Sequence, residues 1–301
     1  MTTPTPRAEA ELHAAVRRAY HLTPSRLAQL GSIASLNVGH TERGQTWRPD
    51  AMGVRDALAS IVGPLAAGPI IELGAGLGAN LDNATAAFTT TSPATAVHCV
   101  AIDLVEALVR TGVRRPGAHH LGAVGDTQHA PCRTASAALV MAIETLHYCA
   151  DVVAASCEMR RVCITGGWVA IAGIGVGSEP ADFARFLAAE DGLGLTDFRS
   201  RDITEGVLRA ARQRREWVAD SSRGSHDPRL VAAMRSFDAT NATVFTAMER
   251  GLMSYWTWAG RAPAAAQPVA DSWRHVLGVP ARRLRRQTRN LLERSLLDTQ
   301  D

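Results

Sequence analysis

The chain has 301 residues, 46% hydrophobic and 20% charged, which is enough to bury the core of one large α/β domain with an added lid and is too apolar for extended disorder. All 32 basic residues are arginine, and the net charge of +3 sits in a tail where Arg282, Arg283, Arg285, Arg286, Arg289 and Arg294 outnumber Glu293, Asp298 and Asp301. The remainder is formally neutral, which excludes a uniformly basic face for nucleic acid. No apolar run reaches membrane-spanning length, the first residues lack an apolar leader segment, and five cysteines form no Cys-x-x-Cys pair, so a cytoplasmic protein with free, buried thiols is expected.

In chain order, Ala8 to Ala19 reads as an amphipathic helix with Leu12, Ala15, Val16 and Ala19 on one face. Arg48 to Leu65 supplies another. From residue 69 to 175 short apolar strands alternate with helices, the pattern of a parallel sheet with right-handed crossovers. The strands are Ile70 to Leu73, Val97 to Ile102, Ala138 to Ile143 and, after a turn at Gly166-Gly167, Trp168 to Gly173. Beyond them come a cap helix from Pro180 to Gly192, a strand from Leu195 to Thr204, a helix from Glu205 to Val218 and a long helix from Pro228 to Arg250. The four arginines of that third segment, Arg209, Arg212, Arg214 and Arg215, read as a solvated face. An apolar aromatic strand, Leu252 to Trp258, precedes an Ala/Pro linker and an arginine-rich helical tail, expected to dock on its own domain or a second subunit, with nucleic acid or a membrane surface as the weaker alternative.

The stretch that organises the chain is Pro69 to Asn80, a buried strand followed by Gly74, Gly76 and Gly78, which let the backbone turn sharply against a ligand before the helix Ala79 to Phe88. Gly74, Gly76 and Ala79 also satisfy the dinucleotide fingerprint. Glu72 decides against it, because a carboxylate there repels a pyrophosphate and attracts an ammonium or sulfonium. The second strand ends in Asp103, placed to take ribose hydroxyls; the segment after it delivers Asp126 and Thr127; and Ala138 to Ile143 is followed by Glu144 and His147. Acids at successive strand ends suit a ligand carrying positive charge and a ribose. Glu144 and His147, three residues apart, share a face on a helical turn, where the carboxylate would hold the imidazole and raise its pKa. No metal-ligand spacing is present.

Glu72-Leu73-Gly74-Ala75-Gly76-Leu77-Gly78, with Asp103 and Asp126-Thr127, resembles the cofactor motifs of the class I S-adenosylmethionine-dependent methyltransferases. Ile143-Glu144-Thr145-Leu146-His147 is similar to the Glu-x-x-His segment of their small-molecule branch, the sterol, geranyl diphosphate and sugar-methylating enzymes. The resemblance implies a doubly wound, seven-stranded, mostly parallel sheet, with a helical lid over residues 1–50, a cofactor-binding core over 51–176, cap helices and last strands over 177–260, and a tail over 261–301. It implies S-adenosylmethionine held by Tyr20, Glu72, Gly74, Ala75, Gly76, Gly78, Asn80, Asp103, Leu104, Asp126, Thr127 and Ala142, with His147, Glu144 and Tyr20 as catalytic candidates. The acceptor it implies is a small molecule, a carbon centre of an alkene or indole-like natural product, with nitrogen or oxygen as the alternative and a homo-oligomer as the expected assembly. A nicotinamide-dependent oxidoreductase is the competing class.

Overall fold

The structure, a computed structural model, describes residues 6–19, 38–88, 98–221, 227–264 and 267–277. Its frame is one seven-stranded sheet built from β1 (Ile70–Leu73), β2 (Cys99–Asp103), β3 (His120–Val124), β4 (Ala137–Ile143), β5 (Cys163–Val176), β6 (Thr196–Asp202) and β7 (Met253–Arg261). The order is β3-β2-β1-β4-β5-β7-β6. The first five strands run parallel, while β7 pairs antiparallel with both β5 and β6. Every residue of β1 and β4 is buried, as expected of strands covered on both faces. Because β1 lies between β2 and β4, the order reverses there, and the crevice outside the carboxyl ends of β1 and β4 is where such a sheet receives a ligand.

Two cores flank the sheet. On one face Ile70, Leu139, Met141, Trp168 and Tyr255 pack with Leu58, Val207 and Phe245 from α2 (Gly53–Ala59), α7 (Thr204–Ser221) and α8 (Pro228–Glu249). On the other, Ile71, Val140, Val169 and Trp258 pack with Met159 from α5 (Val152–Val162) and Phe186 from α6 (Glu179–Ala188). The remaining helices are α1 (Pro6–Ala19), α3 (Ala84–Ala87) and α4 (Glu106–Gly112).

Three expectations are corrected. The helix predicted over Arg48 to Leu65 is only the seven residues of α2, because the chain must leave it to pass Trp168: a Cβ on Gly63 would stand 2.7 Å from that ring. The helix predicted over Ala79 to Phe88 is broken into a 3₁₀ turn, Ala79–Leu81, and the short α3, with Asn83 between them in the left-handed region at φ 54°. Arg55 donates to the Asp82 carbonyl at 2.7 Å and Arg115 pairs with its carboxylate, so two distant arginines hold the break open. In β5 the predicted Gly166-Gly167 turn is a loop-out within one long strand: Ala137 pairs with Cys163 and Leu139 with Trp168. The five cysteines are free, and Cys99, Cys149 and Cys163 are buried.

Trp168 is fully buried in the centre of the sheet, with the guanidinium groups of Arg199 and Arg261 over its ring at 5.3 and 4.6 Å. Replacing it opens a cavity in the first core. Trp168→Ala is therefore expected to cost about 3–5 kcal/mol of stability, read as a lower urea midpoint at unchanged slope.

Candidate active site at the ends of β1, β2 and β4

The backbone leaves β1 through three glycines in the left-handed region, Gly74, Gly76 and Gly78 at φ 68°, 56° and 70°. Gly74 and Ala75 donate their amides to the Ile102 carbonyl at 2.8 and 3.0 Å, which ties the turn to β2. A Cβ on Gly74 would run into the Thr145 side chain, so the turn also packs directly on the residue that follows β4 by two. Asp103 closes the arrangement: one carboxylate oxygen accepts from Gly76 N and the other from Val105 N, both at 2.8 Å. With the Leu104 amide as a third backbone donor, the carboxylate still has acceptor capacity left for a hydroxyl. Burial raises the Asp103 pKa, against the pull of those backbone donors.

Glu72 is wholly buried beside this turn, and its Oε1 accepts from Asn80 Nδ2 at 2.7 Å. Its Oε2 is buried with no hydrogen-bond partner. Burial pushes the carboxyl up to about 8; the Asn80 bond opposes that rise and Asp103 adds to it. A buried acid with one orphaned oxygen, under a glycine turn and beside a second acid, fits a cationic nucleoside and not a pyrophosphate.

Asp126 and Thr127 follow β3 on the same rim, where Gly125 N donates to the Asp103 carbonyl at 2.9 Å. Asp126 accepts from Gln128 N at 2.9 Å, and Thr127 is buried. The N-terminal helix covers this end. Val16 and Leu12 of α1 pack with Leu77, Leu104, Val105, Leu108 and Tyr148, and His13 Nε2 stands 3.4 Å from Asp126. His13 was missed in the sequence because it lies beside the apolar stripe and outside any motif. Tyr20 lies outside the described residues. Ala142 is buried within β4 and belongs to the core beneath the crevice.

At the end of β4 the structure departs from expectation. Glu144 sits at φ 56°, a conformation uncommon for a residue with a side chain and one that collects at functional sites. Its Oε1 accepts two hydrogen bonds of 2.9 Å, one from Val38 N and one from the Tyr255 hydroxyl of β7. Burial drives the carboxyl up to about 7, although both donors and Arg214 pull the other way. The expected Glu144–His147 pairing is overturned: the partners of Glu144 are Val38 and Tyr255, and His147 lies one residue into a 3₁₀ turn with its ring 4.0 Å from that of Tyr148. With no carboxylate among the described residues to hold it, the imidazole is not raised but lowered by burial, to about 4. Part of the residue remains exposed, and the ring is neutral at physiological pH.

A further expectation fails through burial that local spacing does not reveal: Arg214 is no member of a solvated face, being 2% exposed and paired with Asp238. His40 is also buried, against Gly206, and desolvation lowers its pKa. Tyr255 lies in the aromatic strand Leu252 to Trp258, to which the sequence assigns no site role, and Val38 acts through its backbone, which leaves no trace in composition.

Residues 71–171 match the family described as methyltransferase domain. The chain carries a methyltransferase domain. The match spans β1 to the middle of β5 and therefore contains the glycine turn, both buried acids and Glu144. Solved structures agree on the fold. Geranyl diphosphate C-methyltransferase from Streptomyces coelicolor, with geranyl diphosphate and S-adenosyl-L-homocysteine, is 14% identical at a TM-score of 0.56, covering 87% of this chain and all of that one. Phosphoethanolamine N-methyltransferase 2 of Haemonchus contortus, with S-adenosyl-L-methionine, is 16% identical at 0.58, over 84% of this chain and 60% of that one. The [4+2]-cyclase SpnF is 16% identical at 0.55, over 88% and 98%. No curated protein sequence matches the chain. Among the described residues no cluster of metal-ligating side chains occurs and no helix is long and apolar enough to cross a membrane.

The buried acids of this methyltransferase domain give stability a defined pH dependence. Glu72 has a folded pKa of about 8 against 4.5 when free, so the folded state holds more protons and stability falls as pH rises through that window. His147, lowered from 6.5, opposes the trend only below 6.5. Between pH 6.5 and 8 the urea midpoint is expected to fall, and Glu72→Gln to flatten much of that fall.

Proposed function

We propose that the chain transfers a methyl group from S-adenosylmethionine to a small-molecule acceptor, a carbon centre of an alkene or indole-like natural product. The observation that carries the donor half is the orphaned, buried oxygen of Glu72 beneath the glycine turn, next to Asp103. Glu72 and Asn80 would face the cationic methionyl end, Asp103 the ribose hydroxyls, and Asp126, Thr127 and Leu104 the base, under the cover of α1. When bound, the donor supplies an already activated methyl, so the chain's own residues have only to position, desolvate and compensate charge.

The acceptor half rests on Glu144. A half-buried carboxylate held by Val38 and Tyr255 would compensate the positive charge that develops on a carbon acceptor after attack. Such a cation gives up its proton readily, so even the weakly basic, neutral imidazole of His147 suffices to take it. A second reading, methylation of nitrogen or oxygen, is favoured by one observation: the Glu144 carboxyl is raised to about 7, the range of a general base for a protic nucleophile. Incubation with donor carrying an isotopically labelled methyl and a panel of alkenes, indoles, amines and phenols separates the two by the atom that acquires the label.

Calorimetry tests the donor. S-adenosylmethionine and S-adenosylhomocysteine should bind and nicotinamide dinucleotides should not, with Asp103→Ala weakening the nucleoside by about tenfold, the worth of one charge-assisted hydrogen bond. Binding of the dinucleotides alone would overturn the reading. His147→Ala is expected to lower turnover far more than donor affinity; equal loss in both would assign the ring to binding.

A further inference from the structure

We infer that Arg214 is a positioning residue for Glu144: with Asp238 it clamps the backbone at Val38, and Val38 in turn holds the Glu144 carboxylate. The connection is continuous. Arg214 Nη1 donates to the Val38 carbonyl at 2.8 Å, and the Val38 amide donates to Glu144 Oε1 at 2.9 Å. One peptide position thus joins a guanidinium on α7 to the acid after β4. Arg214 Nε donates to Asp238 Oδ1 of α8 at 2.7 Å, so the guanidinium is held from its other side.

Its setting fixes it further. Rings of Phe237, Phe245 and Trp47 lie 4.8, 5.5 and 5.7 Å from the guanidinium carbon, and the residue is 2% exposed. A planar fork is what this geometry needs, since Arg214 must reach a carboxylate and a carbonyl at once. The neighbouring Gly39 leaves Arg214 Nη1 and the Trp47 indole nitrogen each 3.4 Å from where a side chain would begin, so the strap at residues 38–39 lies directly on the clamp. Glu144 is faced by Tyr255 from β7, by the Val38 amide from the strap and by Arg214 from α7, with Asp238 behind the last; the cation is the only group of that set that favours the ionised acid through charge.

The inference rests on the reading of Glu144 as the acid of the transfer site, but its test uses the full chain without donor or acceptor, so failure of S-adenosylmethionine to bind would bear on that reading alone. Two quantities are measured: amide exchange of Val38 by NMR, and titration of Glu144 by infrared difference spectra with Glu144→Gln as the blank. The double variant Arg214→Met/Asp238→Leu removes both charges and leaves neither unpaired, which keeps the fold within reach. It should speed exchange at Val38 about tenfold, the factor expected for loss of one hydrogen bond to a charged group, and move the Glu144 titration above its wild-type value. Arg214→Lys keeps the charge without the fork, so it should speed exchange while leaving the titration near wild type. A folded double variant in which Glu144 titrates as in the wild type overturns the inference, whatever its overall stability. If the double variant does not fold, Arg214→Lys decides, and unchanged exchange at Val38 overturns it.

Discussion

A single carboxylate oxygen, Glu144 Oε1, is where three parts of the molecule meet. The strap at Val38, the carboxyl end of β4 and the antiparallel strand β7 are far apart in sequence, and each reaches it with one group. Holding an acid there has two costs. A side-chain-bearing residue is kept in the left-handed region, worth about 1–2 kcal/mol, and a charge is drawn out of water far enough to bring its pKa to about 7. Two donors on one oxygen offset part of that. A fold that needed only packing at this position would have used an apolar residue, so the conflict between local preference and final structure marks a site under another demand.

The donor side of the crevice is legible in the sequence because each of its parts is local. A strand, a glycine turn and an acid at the next strand end are short patterns whose geometry follows from a few consecutive residues: Gly74 and Gly76 turn, Asp103 caps the turn, and the sheet order brings them together. The acceptor side is not, because its contacts span more than a hundred residues, Val38 with Glu144 and Glu144 with Tyr255. One part of it does leave a sequence signal. Val207, Ala210, Ala211, Arg214 and Val218 follow the three-and-four spacing of a buried helical stripe, so Arg214 occupies a core position in that pattern while its neighbours Arg212 and Arg215 do not. The break after the 3₁₀ turn had no such signal. Ala79 to Phe88 is compatible with a helix, and what prevents it is the hold of Arg55 and Arg115 on Asp82, a tertiary override of local propensity.

The solved neighbours sharpen where the chemistry must be sought. A C-methyltransferase, an N-methyltransferase and a cyclase share this sheet at 14 to 16% identity, so the frame itself carries no decision about the reaction. Such a decision has to come from the layer laid over the strand ends. In this chain that layer is α1 with His13 over the nucleoside end, and the strap, α7 and α8 over Glu144. The first sits on a shallow apolar patch and a histidine–aspartate contact; the second is locked by a buried ion pair ringed with aromatics.

The interrupted segment after the glycine turn alters what an incoming anion would feel. A regular α-helix presents about half a positive charge at its N-terminus, felt within its first turn, whereas three residues of 3₁₀ followed by a left-handed asparagine present little of it. Recognition at this mouth is therefore a short-range affair of individual N–H groups within touching distance. The helix dipole adds little at this mouth, so dissolved salt, which screens fields over distances of about 8–10 Å, has little dipole attraction there to weaken.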